Sequence, residues 1–242
     1  TSMERLSSGK RINHARDDAA GMAISSKMTS QINGMNQAVR NTNDGISMVQ
    51  TADGAMEGIA DKLQRMRELA VQSSNGIYSS SDRAALDIEF QALDDEINRV
   101  ASSAEFNGTN LIDADAQIDI QVSYAADSTN GKITVSLSGV DSTDLAINTS
   151  VITSQNASSA AITAVDAALS TVNSARATLG ATQNRLETTV KDLKNNVENL
   201  SASRSRIEDA DFASETAQLA KSQILQQAGM AMLAQANQLP QQ

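Results

Sequence analysis

"VDAALSTVNSARATLGATQNRLETTVKDLKNNVENLSASRSRI" (residues 165–207) places an aliphatic side chain at every seventh position: Val165, Val172, Leu179, Leu186, Leu193, Leu200 and Ile207. A helix turns once in about 3.6 residues, so a strict seven-residue interval holds one stripe against one partner only in coiled-coil packing. Val190 and Val197 reinforce that seam. The pattern predicts one helix over about 157–207 and, with it, a second long helix to pack on.

The partner stripe lies upstream. Met28, Met35, Val49, Met56 and Leu63 share one seven-residue phase, with Thr42 as the polar exception, and Ile32, Val39 and Ile46 run four residues behind. This predicts a helix over about 21–73, roughly 80 Å long at 1.5 Å per residue. "SSNG" then supplies turn chemistry, Gly76 being able to take positive φ. Burying a Leu or Val is worth about 1.5–3 kcal/mol, so about fifteen seam positions offset the entropy of ordering two antiparallel helices.

Between the two stripes the pattern changes twice. "SSSDRAALDIEFQALDDEINRV" (79–100) restarts a helix, with Ser80 or Ser81 expected as N-cap and Leu86, Phe90, Leu93 and Ile97 on its apolar face. Next, Ile118, Ile120, Val122 and Tyr124 alternate with polar residues, as do Ile133, Val135 and Leu137, with Asn130-Gly131 as a turn between them. That reads as a β-hairpin over about 117–138. The Ser/Thr/Asn/Asp-rich 138–159 stretch reads as a surface connection. After "EDADFASE" a last helix is expected over about 213–236, carrying Leu219, Ile224, Leu225, Met230, Met232 and Leu233. Nothing else in the chain obviously covers that face, and an exposed apolar stripe implies a partner. The fold class is therefore mainly α: an elongated antiparallel long-helix coiled-coil bundle with a small β-hairpin region.

Composition agrees and narrows the function. Aromatics are 2% of 242 residues, with no Trp, no Cys and a single Pro, Pro240. That suits thin helix-on-helix packing and excludes disulfides, Cys-ligated zinc and a thiol nucleophile. Net charge is −10, which disfavours nucleic acid, and the basic first segment has no aromatics for base stacking. No apolar run approaches the length of about 18 residues needed to span a bilayer, and the start has no signal-peptide core, so membrane insertion is not expected.

Candidate chemistry is thin. His14, the only histidine, precedes Asp17 by three residues, but a zinc site needs ligands this chain lacks. "SSGK" (7–10) lacks the companion motifs of the Ser-x-x-Lys hydrolases. "DADAQID" (113–119) begins like a calcium loop, yet Ile118 stands where Gly is required and Tyr124 where Glu is. No catalytic, cofactor or metal residues are expected, and no enzyme.

Particular runs carry a resemblance. "ERLSSGKRINHARDDAAGMAIS", "NDGISMVQTADGAM", "LQRMRELAVQSSNG", "EFNGTNLID" and "LGATQNRLE…SRIEDADFASE…MLAQANQLPQQ" closely resemble bacterial flagellin, over residues 1–111 and 161–242. Hook–filament junction proteins, which share parts of the fold, are the nearest alternative. The resemblance implies a secreted, extracellular subunit of the bacterial flagellum that self-assembles into a helical filament for motility and leaves the cell by the flagellar type III pathway. It implies a rod domain of residues 24–207 and a partial, discontinuous inner-tube domain of 1–23 and 208–242. An amino-terminal helix upstream of Thr1 and a tail after Gln242 are expected, and the variable outer domains of larger flagellins are missing. "GKRINHARDDAAG" would connect inner tube to rod, with Asp17 or Asp18 starting the long helix and the Arg side chains bracing the junction. Leu219, Ile224, Leu225, Met232 and Leu233 would pack in the inner tube or bind an export chaperone. Gln64, Arg65, Leu69 and Glu89 match the motif read by the animal Toll-like receptor for flagellin, with an apolar contact at Leu69, and would also serve contacts between subunits.

Overall fold

The computed structural model describes residues 2–125 and 131–238, with side chains to residue 234. Asn130 of the expected turn and Pro240 lie outside the described residues. In chain order the elements are α1 (Ser2–Ser8), α2 (Ala19–Ser74), α3 (Ser80–Ser103), β1 (Glu105–Phe106), β2 (Thr109–Asn110), β3 (Ala116–Gln121), β4 (Lys132–Leu137), α4 (Gln155–Glu208) and α5 (Phe212–Gln238). The fold is mainly α, built on two long helices with small antiparallel hairpins between them. Two compact units divide it: Gln37–Leu193, and Thr1–Asn36 with Lys194–Gln242.

In the unit Gln37–Leu193 the seams pack as the seven-residue pattern requires. On α4, Val165, Val172, Leu179 and Leu186 are buried and alternate with buried Ala161, Ala168, Ala175 and Thr182. The small residues form a second file that the reading of large aliphatics passed over. On α2, Val49, Ala52, Met56, Ile59, Leu63, Met66 and Ala70 recur at intervals of three and four, and all are buried. The flexible side chains of Met56 and Met66 are fully buried in this core. The helices run antiparallel: the Arg67 guanidinium donates to Asp166 at 2.6 Å and Arg176 to Asp53 at 2.8 Å, so later residues of α2 meet earlier residues of α4. Thr42, the polar exception, is fully buried and satisfies its hydroxyl on the Ala38 carbonyl at 2.6 Å.

Helix α3 adds Phe90, Ile97 and Ala101 to the same core. Its N-cap is Ser79, one residue before the expected Ser80 or Ser81. The reason is reciprocal bonding: Ser79 Oγ accepts from the Asp82 N–H at 3.2 Å, and the Asp82 carboxylate accepts from the Ser79 N–H at 3.0 Å. Only Ser79 stands three residues from that carboxylate.

β3 and β4 pair antiparallel, Ile118 opposite Val135 and Ile120 opposite Ile133. Ile120 lies so close to Gly45 of α2 that a Cβ there would overlap its side chain. Tyr124 departs from the expected alternation: β3 ends at Gln121 and the ring is half exposed. A second hairpin, β1–β2, was not foreseen. Its two-residue turn is Asn107-Gly108, at φ +51° and +77°, the left-handed pair that such turns demand.

The surface connection expected at 138–159 is corrected most. Val140, Leu145, Ile147 and Ile152 are buried in the core. Hydrogen bonds hold its backbone while most of its polar side chains stay exposed: Ile147 N–H donates to Ser142 O, Ile152 N–H to the Asp87 carboxylate, and buried Ser73 donates to Ile152 O at 2.5 Å. A Ser/Thr-rich segment with an apolar residue every few positions can therefore fold as a core strap.

In the unit of the chain ends, Ile12, Ile32 and Met35 are buried, whereas the seam residues Leu200 and Ile207 are half-buried. Asp18 caps α2, accepting from the Gly21 N–H at 2.8 Å. Gly21 is needed there, because a Cβ would meet Asp18 and Ile12. The Arg11 guanidinium donates to Ile207 O at 2.6 Å and the Arg11 N–H to Glu208 O at 2.6 Å. The Glu208 carboxylate takes Ser25 at 2.6 Å and pairs with Lys10, and that bonding holds its carboxyl below the usual range, Lys10 contributing most.

Candidate functional site

His14 lies in this end unit and hydrogen-bonds Asp17 through its backbone, not its ring. Its backbone N–H donates to Asp17 at 3.0 Å, while its ring meets Glu4 of α1 at 2.6 Å, more than half exposed. That N–H is the main cause holding the Asp17 carboxyl low. Among the described residues no three His, Asp or Glu side chains are grouped to hold a metal. An open cleft of about 370 Å³ beside β3 is lined by Asn41, Asp44, Gly45, Met48, Phe106, Asp119, Ile120 and Gln121, without a base or nucleophile poised on an acid.

What the end unit presents is apolar surface. On α5, Ile224, Leu225, Met230, Met232 and Leu233 are each 62–72% exposed, and Leu219 is half-buried. The helix lies against α1, with Arg5 and Glu215 pairing at 3.6 Å. A soluble monomer rarely leaves so many large apolar side chains on one helix.

The unit Gln37–Leu193 presents a charged patch. Arg65 on α2 donates to Glu89 on α3 at 2.8 and 2.9 Å and to Glu68 at 2.9 Å. Glu68 first, then Glu89, keeps the guanidinium more firmly protonated than usual. Gln64 is exposed beside it. Leu69 is different: it is fully buried in the core, so it offers no surface contact and the expected apolar contact there is corrected. Its place in the three-four repeat of α2 turns it inward. Within Gln37–Leu193 the exposed large apolar residues of these two helices are Val71 and Ile88.

Sequence reasoning missed one buried acid. Asp94 of α3 is 8% exposed, and its Oδ1 has no hydrogen-bond partner. Burial pushes its carboxyl up, opposed by a hydrogen bond from Ser142 and reinforced by Asp95 and Asp141. The only signal was an acid at a position three residues before apolar Ile97.

Paired long helices, a hairpin head and a bare terminal helix define a structural coiled-coil protein. Residues 1–117 match the family described as bacterial flagellin N-terminal helical region, and 162–242 match its C-terminal helical region. A flagellin of Halalkalibacterium halodurans is 50% identical over 243 residues, covering 99% of this chain and 88% of that protein. The flagellar filament core protein flaB2 of Brachyspira hyodysenteriae is 42% identical over 252 residues, covering 99% and 88%. The crystal structure of Bacillus cereus flagellin matches with a TM-score of 0.55 at 32% identity, over 64% of this chain and 88% of that one. The chain belongs to the bacterial flagellins, structural subunits of the extracellular flagellar filament.

Proposed function

We propose that copies of this chain assemble head to tail into a helical filament that serves motility. The observation that carries this reading is α5, whose Ile224, Leu225, Met230, Met232 and Leu233 lack cover in the single chain. A surface that pairs with a different surface of the next copy generates an open helix instead of a closed ring. In this reading residues 1–23 and 208–242 belong to the inner tube, and 24–207 form the rod. The flagellar type III pathway exports the chain, and a flagellar chaperone covers Leu219, Ile224, Leu225, Met232 and Leu233 beforehand. Electron microscopy tests the core claim. Wild-type protein forms tubes under polymerising salt, and a Leu225→Asp, Met232→Asp variant stays monomeric with unchanged helicity. Tubes from that variant would refute the assignment of α5.

The second part of the reading is recognition by an animal Toll-like receptor, through Gln64, Arg65 and Glu89 with Leu69 as the buried support. It rests on the Arg65–Glu89 pair, a preset charged contact on an exposed face. Arg65→Ala should abolish receptor signalling in a reporter cell while tubes still form. Full signalling by that variant would remove the patch from the proposal.

A further inference from the structure

The sequence contains four Asn-Gly pairs: 33–34, 75–76, 107–108 and 130–131. In such a pair the glycine nitrogen can attack the asparagine side-chain carbonyl, because no Cβ obstructs the approach. The pair at 130–131 lies partly outside the described residues. Gly34 lies within α2, where the helical ladder engages its N–H. Asn107 is held at φ +51° in the turn between β1 and β2, and ring closure there has to break the turn.

Asn75-Gly76, between α2 and α3, is arranged otherwise. Asn75 Oδ1 accepts from the Ile77 N–H at 3.3 Å, an Asx turn that folds the side chain over the Gly76 peptide. Both residues are exposed, and the position of a Gly76 Cβ meets open space. Among the described residues the Gly76 N–H has no hydrogen-bond acceptor. Arg83 completes the arrangement. Its Nη2 donates to Asn75 O at 3.0 Å, and its Nε to Ser73 O at 2.8 Å, which fixes the guanidinium. Asn75 O is the oxygen of the same peptide whose nitrogen is Gly76 N. A cation there stabilises the negative charge left when that nitrogen loses its proton.

We propose that Asn75 is a self-modification site, at which Arg83 promotes deamidation through a succinimide. Hydroxide takes the Gly76 proton, Gly76 N bonds to Asn75 Cγ, and the Cγ–Nδ2 bond breaks to release ammonia. Water then opens the ring at either carbonyl, leaving an aspartyl or an isoaspartyl residue. The balance is amide plus water to carboxylate plus ammonium, with no redox partner. The product places a negative charge beside Arg83. Its isoaspartyl form also lengthens the main chain by one methylene just ahead of the Ser79 cap.

The test follows the full chain in mildly alkaline buffer, with peptide mass spectrometry at each Asn-Gly pair and isoaspartyl methyltransferase labelling. Asn75 should convert several-fold faster than Asn107, and Arg83→Gln should slow Asn75 several-fold. In urea, where the arrangement is lost, the two proteins should convert at the same rate. A loop merely loosened by Arg83→Gln would convert faster, not slower, so an equal or faster rate at Asn75 in the folded variant overturns the proposal. So does Asn107 converting first.

Discussion

Asp94→Asn should make this protein more stable at neutral pH, although it removes a charge. The wild-type carboxylate is 8% exposed, its Oδ1 has no partner, and Asp95 and Asp141 repel it. Only Ser142 offsets this, and an asparagine oxygen can still accept that bond. Leaving a buried polar group unsatisfied costs about 1–3 kcal/mol, more when it is charged, and the asparagine nitrogen still lacks a partner, so the substitution should recover only the extra cost of the charge, about 1 kcal/mol. In a unit of this size each kcal/mol moves Tm by about 2–4 °C. The pH dependence has a definite sign. Because the folded carboxyl is raised, the native state keeps a proton that the unfolded chain has released. The contribution of Asp94 to wild-type stability therefore falls as pH rises from the unfolded carboxylate range, about 3.9, through the folded value, and then levels. The variant lacks this slope. Asp144, raised by burial and then by Asp141, Asp115 and Asp113, adds a slope of the same sign to both proteins, which the comparison subtracts. Urea unfolding followed by circular dichroism at about pH 7.5 and about pH 3.5 brackets the window. Expected is a gap at the higher pH that closes at the lower. A variant no more stable than wild type at neutral pH, or a gap that ignores pH, would refute the reasoning.

Leu186→Ala empties a fully buried seam position and should cost about 2–5 kcal/mol in urea unfolding, whereas Leu200→Ala, at a half-buried position, should cost less. Ser79→Ala breaks the cap of α3 and should cost about 1 kcal/mol. Glu208→Gln weakens the tie to Lys10, and faster amide exchange at Arg11 and Ile12 reports it. Since the Glu208 carboxyl is lowered in the folded state, its contribution is full above the ordinary glutamate range and fades as pH falls through the folded value. Protection of those wild-type amides, taken against the intrinsic exchange rate at each pH, should therefore fall in acid, and the variant's should not.

By itself the sequence determined the long helices, their phase and the inward set of Val165, Val172, Leu179, Leu186, Met56 and Leu63. A seven-residue repeat of apolar side chains has one economical solution in water, and it is local enough to read. The β3–β4 hairpin was legible for the same reason, through a period of two. Of the candidate surfaces, the bare apolar helix α5 was legible because uncovered apolar residues stand out against a chain whose others are paired. Tertiary structure alone decided the rest. It buried Leu69, one helical turn from exposed Arg65, at the edge where α2 meets the core. It folded Val140, Ile147 and Ile152 into the core, because Asp87, Ser73 and the strap's own turns bond its backbone while its polar side chains stay exposed. It also set Arg83 on the Asn75 carbonyl and left Asp94 Oδ1 without a partner. Hydrogen bonds depend on where groups end up in space, and no periodicity records that.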